Sequence, residues 1–94
     1  MFIDTSNILA TQTTSNWEYT ATEDCIAIGE VRAKNQGSAD AFFNGYKIAT
    51  AYLEGSNSPS YASVFLPLKK GQTITVTGST ITDKCNITVY GLMN

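Results

Sequence analysis

Histidine is missing from this 94-residue sequence. Its absence removes the commonest general base and the commonest metal ligand. Cysteine is scarce: Cys25 and Cys85 stand far apart, and two thiolates without imidazole partners do not complete a zinc site of the Cys/His kind. Charge is scarce as well. Only 15% of the residues are Asp, Glu, Lys or Arg, and the net charge is −2. A nucleic-acid binder carries a basic patch or stripe, and the scattered lysines and arginines here do not make one. No apolar run approaches the ~18 residues of a membrane-spanning helix, so membrane insertion is not expected. Nor does a charged n-region precede an apolar h-region, as in a secretion signal.

The chemistry-bearing motifs are missing too. No GxSxG elbow frames any serine, and no base stands ready for the many Ser and Thr hydroxyls. The carboxylates Glu23, Asp24, Asp40, Glu54 and Asp83 fall in or beside connectors, where they read as solvated turn acids rather than a paired acid and base. No DxDxD-like cluster suggests calcium. The expectation is a protein that is not an enzyme, with no catalytic residues, no cofactor and no metal site.

What is abundant is Thr, Val, Ile, Tyr and Phe, in short alternating runs. "WEYT" sets Trp17 and Tyr19 against Glu18 and Thr20. "CIAIGEVRA" puts Cys25, Ala27, Val31 and Ala33 on one face and Ile26, Ile28, Glu30 and Arg32 on the other. Gly29 then marks either a bulge or a strand covered on both faces at one end only. "AFFNGYKIATAY" centres on Asn44–Gly45, a pair that calls for a type I′ hairpin because both central residues need φ > 0. Phe42 and Phe43 must point to opposite faces, although both, with Phe65, are read as core.

"YASVFLPL" reads as a strand that stops ladder pairing at Pro67. "TITVT" points Ile74 and Val76 inward and its threonines outward. "CNITVYGL" points Cys85, Ile87 and Val89 inward and Asn86, Thr88 and Tyr90 outward. Its "NIT" triplet matches a glycosylation acceptor, read as chance in so Asn/Thr-rich a chain. About seven or eight short strands at roughly ten-residue intervals predict an all-β, antiparallel two-sheet sandwich, jelly-roll or Ig-like.

Residues 1–16 differ. Phe2–Ile3 and Ile8–Leu9 sit as apolar pairs in a polar background, which reads as an extended N-terminal arm that packs on a neighbouring chain. Residues 17–94 then form the sandwich domain. So short a chain buries only about 60–65% of the surface its unfolded form exposes, and oligomerisation is a usual supplement. Ile26 and Ile28, sharing a face with charged residues, are candidates for an oligomer interface together with Phe2, Ile3, Ile8 and Leu9. Cys25 and Cys85 are either buried free thiols or, if strands bring them together, a disulfide closing a long loop.

Ligand contacts are expected from aromatics with a flat apolar face and a polar tip. Tyr52 and Tyr61 flank the loop "EGSNSPS", whose Asn57 adds adaptable hydrogen bonding. Trp17 is either a core filler or a further platform. Lys69–Lys70 and Gly71 read as a charged, soluble turn, with an anion-binding pair as the other reading.

Several of these stretches resemble the jelly-roll head domains of phage tail-fibre and receptor-binding proteins. "SVFLPLKKGQTITVTG" is similar to their V-x-V-P-V-K-K-G-D corner followed by T-V/I-x-V. "AFFNGYKIAT" resembles the accompanying Y-I-N-G hairpin, "WEYTATEDCIAIGEV" their opening Y-T-A-T strand, and "NITVYGL" their closing strand. Cys25 stands where relatives carry glycine, and Gln72 replaces an acidic residue. Complement-type, TNF-like bacterial domains share such corners. The resemblance implies a jelly-roll head, trimeric, at the tip of a virion tail fibre or otherwise extracellular, attaching to a bacterial surface glycan or protein. The alternatives are a structural fibre or decoration domain and a carbohydrate-binding module.

Overall fold

Each alternating run becomes a strand. In the computed structural model, which describes residues 2–34, 37–53, 58–81 and 86–93, these are β1 (Phe2–Thr11), β2 (Trp17–Thr20), β3 (Cys25–Ala33), β4 (Gly37–Phe43), β5 (Tyr46–Leu53), β6 (Ser60–Leu68), β7 (Thr73–Thr77) and β8 (Ile87–Met93). They pair into a first sheet, β1-β8-β3-β6, and a second, β2-β7-β4-β5. All neighbours are antiparallel. Successive strands switch sheets except at the β4–β5 hairpin. That order is a jelly roll, so the immunoglobulin alternative is set aside.

The two inner faces meet in one core. Cys25, Ala27 and Val31 of β3, Val64 and Leu68 of β6, and Ile87 and Val89 of β8 face Ile74 and Val76 of β7, Ala39 and Ala41 of β4, and Ala51 and Leu53 of β5. Trp17 and Tyr19 pack against this cluster from β2, their rings stacked 6.2 Å apart. Among the described residues, the inward and outward positions along β7 and β8 are those the alternation predicted, with one exception. Asn86, expected to point outward, is buried and donates from Nδ2 to Ser79 Oγ (3.2 Å) and the Thr80 carbonyl (2.7 Å). An amide so engaged is shielded from the modification that "NIT" would suggest.

The hairpin forms as expected: Asn44 has φ 46° and Gly45 φ 88°. One extra residue in β5, between the pairs Ala41↔Ala49 and Phe42↔Lys47, shifts the register. Phe43 packs on the core. Phe42, expected there too, lies on the opposite face with the Lys47 ammonium 6.0 Å from its ring.

Gly29 does not mark a bulge. The β3–β6 register runs unbroken from Cys25↔Leu68 to Ala33↔Ser60. Glycine is required for closeness instead. A Cβ at this position would overlap the carbonyl of Asn86, where β8 begins and Glu30 N–H donates to that same oxygen. The strand is covered on both faces at its Cys25–Ala27 end only.

Two expectations are corrected by the pairing. The residues read as a separate arm form β1, the edge strand of the first sheet, paired with β8 from Phe2↔Met93 to Thr11↔Thr88. The sandwich therefore includes them. Pro67 does not end β6, because Leu68 still pairs with Cys25 beyond it. β6 is an edge strand, and a missing N–H on the open side costs no ladder bond.

Candidate assembly face

Alternation sends every second residue of the first sheet away from the core. On β3 these are Ile26, Ile28, Glu30 and Arg32. Their register partners on β6 are Pro67, Phe65, Ser63 and Tyr61. Tyr90 and Thr88 of β8 flank Ile26 and Ile28 on the other side. Beyond β8, Ile3 pairs with Leu92 and Ile8 with Tyr90. The result is a continuous apolar field of Ile3, Ile8, Tyr90, Leu92, Ile26, Ile28, Pro67 and Phe65, bordered at one end by Glu30 and Arg32.

Ile26 is only 3% exposed yet stands outside the core cluster, sunk between its neighbours on this open face. Ile8 and Phe65 stand proud, 57% and 67% exposed. Of the residues expected at an interface, Ile3, Ile8, Ile26 and Ile28 share this field. Leu9 does not: it packs against the core. Phe2, opposite Met93, is exposed at the sheet's end and follows the inner parity of β8.

Phe65, read as core, is the largest member the sequence reading placed wrongly. A signal was available. "VFLPL" and "CIAI" are continuous apolar runs, and such runs mark strands with apolar groups on both faces.

The expected ligand residues are not brought together. Tyr52 points outward from β5 in the second sheet, and Tyr61 outward from β6 in the first. They are exposed on opposite sides of the sandwich. Tyr61 accepts a hydrogen bond from Arg32 Nε at 3.2 Å, and the guanidinium lies 5.6 Å from its ring centroid. Trp17 is core filler, as its packing shows. Asn57 lies outside the described residues.

Cys25 is a buried free thiol, while its proposed disulfide partner Cys85 lies outside the described residues. Burial, then the charges of Glu23 and Asp24, push the Cys25 thiol above its ordinary range. The thiol is therefore protonated and poorly nucleophilic at neutral pH.

The outward face of the second sheet is mostly polar, with Phe42 and Tyr52 as separate aromatic members. Thr73, Thr75 and Thr77 line β7, and the hydroxyls of Thr20 and Thr73 meet at 2.9 Å. Asp40 accepts from Thr50 Oγ1 and from Ser38 Oγ (3.1 Å), and Lys47 Nζ lies 3.5 Å away. The Thr50 hydrogen bond, helped by Ser38 and Lys47, holds the Asp40 carboxyl below its usual value against the opposing effect of burial. These partners read as ties between β4 and β5.

At the lysine corner the backbone is held by side chains. Asp24 Oδ1 accepts from Lys70 N–H (3.0 Å), and Gln72 Oε1 from Lys69 N–H (2.8 Å). Among the described residues, no three metal-capable side chains cluster. No protein-family model matches the chain, and neither a curated protein nor a solved structure matches it.

Proposed function

We propose that this protein is a non-enzymatic jelly-roll head that assembles with copies of itself, a trimer in the arrangement we favour. In this reading it serves a phage tail fibre or receptor-binding protein in attachment to a bacterial surface glycan or protein. The observation that carries the reading is the apolar outward face of the first sheet.

Strands spaced ~4.8 Å apart, with ~3.3 Å per residue and every second residue outward, give this eight-residue field roughly 250 Å². The largest contiguous apolar patch on a small protein is often functional. At ~25 cal/mol per Å², covering it returns about 6 kcal/mol per copy before costs. Association itself costs about 4–15 kcal/mol. The two are comparable, so assembly of the isolated chain depends on its concentration. A second copy suits the face because Glu30 and Arg32 border it together and offer both signs of charge to a neighbour; the choice of three copies rests on the fibre-head resemblance. The jelly-roll strand order and the lysine-corner resemblance support the fibre-head assignment.

Light scattering over a concentration series, paired with adsorption to bacterial cells, tests the reading. A mass near three copies together with adsorption supports it. Assembly without adsorption assigns the chain to the structural fibre and decoration class instead. A monomer at every concentration that still binds polysaccharide assigns it to the carbohydrate-binding modules.

A further inference from the structure

Beside the lysine corner a half-open cavity of about 230 Å³ lies between the ends of β3, β6 and β8. Its apolar lining is Cys25, Pro67, Leu68 and Leu92, and its polar lining is Asp24, Lys69 and Gln72. The hydrogen bonds already made at this corner decide what the polar groups have left to offer. Asp24 uses Oδ1 to hold Lys70 N–H, which leaves Oδ2 as an acceptor. Gln72 uses Oε1 to hold Lys69 N–H, which leaves Nε2 with two protons to donate. The Lys69 ammonium adds a further donor. The cavity therefore presents an apolar floor, one anionic acceptor and two donors on a hydrogen-bonded frame.

We propose that this cavity binds the acylamino group of a single N-acetylated sugar residue. The methyl of such a group covers Leu68, Leu92 and Pro67, so the assembled copies leave Leu92 and Pro67, at the edge of the apolar field, uncovered. The group's N–H donates to Asp24 Oδ2, and its carbonyl oxygen accepts from Gln72 Nε2 or Lys69 Nζ. One group thereby meets every feature of the lining. The volume lies below the ~300–1,000 Å³ of drug-sized pockets, so one substituent enters and the remainder stays at the rim. That rim is charged and exposed, which suits the hydroxyls of a sugar ring better than an apolar chain. The choice of a sugar rests on the glycan-attachment reading above. The choice of the acylamino group rests on the cavity itself.

Two substitutions keep the frame and reverse the free atom. Asp24→Asn retains Oδ1 and replaces the acceptor with a donor. Gln72→Glu retains Oε1 and replaces the donor with a carboxylate. Amide NMR spectra of the intact chain, titrated with N-acetylglucosamine and separately with glucose, read binding and folding together. N-acetylglucosamine is expected to shift the amides of residues 24–25, 68–72 and 92 saturably, glucose to leave them in place, and each variant to weaken binding about tenfold while keeping a folded spectrum.

The proposal is overturned if those amides do not respond, if glucose shifts them equally, or if both folded variants bind as the parent does. Cells that adsorb the protein while the cavity ignores the sugar retire the cavity and leave the head reading standing. Sugar bound in the cavity by a chain that neither assembles nor adsorbs retires the head reading and leaves the cavity.

Discussion

The two outward faces of this sandwich are built by the same rule and come out opposite. Every second residue of the first sheet gives isoleucine, phenylalanine, tyrosine and leucine. Every second residue of the second sheet gives mostly threonine, serine and the Asp40–Lys47 pair, with the rings of Phe42 and Tyr52 set singly among them. Both sheets contribute inward residues to the same core, so the shared interior does not explain the difference. A face that met only water would gain nothing from Phe65 or Ile8. The second sheet scatters its outward rings among polar groups, and the first gathers its apolar side chains into one field.

The largest effect expected concerns how tightly the first sheet is drawn together. Gly29→Ala forces a Cβ into the Asn86 carbonyl and should cost about 3 kcal/mol or more in chemical denaturation. A loss within experimental error would mean that β3 and β8 separate easily and that the face is not rigid. Next, Phe65→Glu with Ile8→Glu should weaken self-association about 100-fold, read by sedimentation, while the monomer keeps its melting temperature. Thr75→Glu, on the second sheet, should leave association unchanged. Equal sensitivity on both sheets would break the contrast.

Asp40→Ala should lower stability by about 1–2 kcal/mol, through loss of the Thr50, Ser38 and Lys47 contacts, without touching assembly. The pH dependence has a definite sign. The folded carboxyl titrates below its ordinary value of 3.8. Its contribution is therefore present above that value and disappears as pH falls through the lower folded one. Denaturation curves of Asp40→Ala and the parent should converge in acid, and a gap that widened there would reverse the assignment. The smallest effect is Thr73→Val, which removes the hydroxyl contact with Thr20 and should cost about 0.5 kcal/mol, again with no change in association.

How far the sequence led depended on whether period 2 survived. Ile74, Val76, Ile87 and Val89 were legible as core because β7 and β8 alternate cleanly. Asn44–Gly45 announced its hairpin because few residue pairs accept two positive φ values. β1 was not legible as a paired strand. Its register slips between Asp4 and Ile8 and again between Ile8 and Ala10. Asp4 Oδ1 holds both Ser6 N–H and Ser6 Oγ in a local turn. Those interruptions place Ile8 outward and Leu9 against the core, so the pattern looked like scattered pairs.

The tyrosine site failed for a different reason. Tyr52 and Tyr61 are close in sequence, but the connection between them carries the chain from one sheet to the other, which turns their side chains to opposite sides. Topology of that kind is not written in local composition. Of the apolar outward field, Ile3, Ile8, Ile26 and Ile28 had been singled out from the sequence. Phe65 was not, because its length of apolar chain looked like interior.

The rims of the two sheets limit how copies can join. β1 is interrupted by its register slips, β6 carries Pro67 near its end, β2 has only four residues, and β5 has a slip beside Lys47. Each is a device that spoils backbone templating by a stranger's strand. Growth by adding ribbon to ribbon is therefore discouraged at all four rims, and what a stranger meets there is side chain and not an open row of backbone groups.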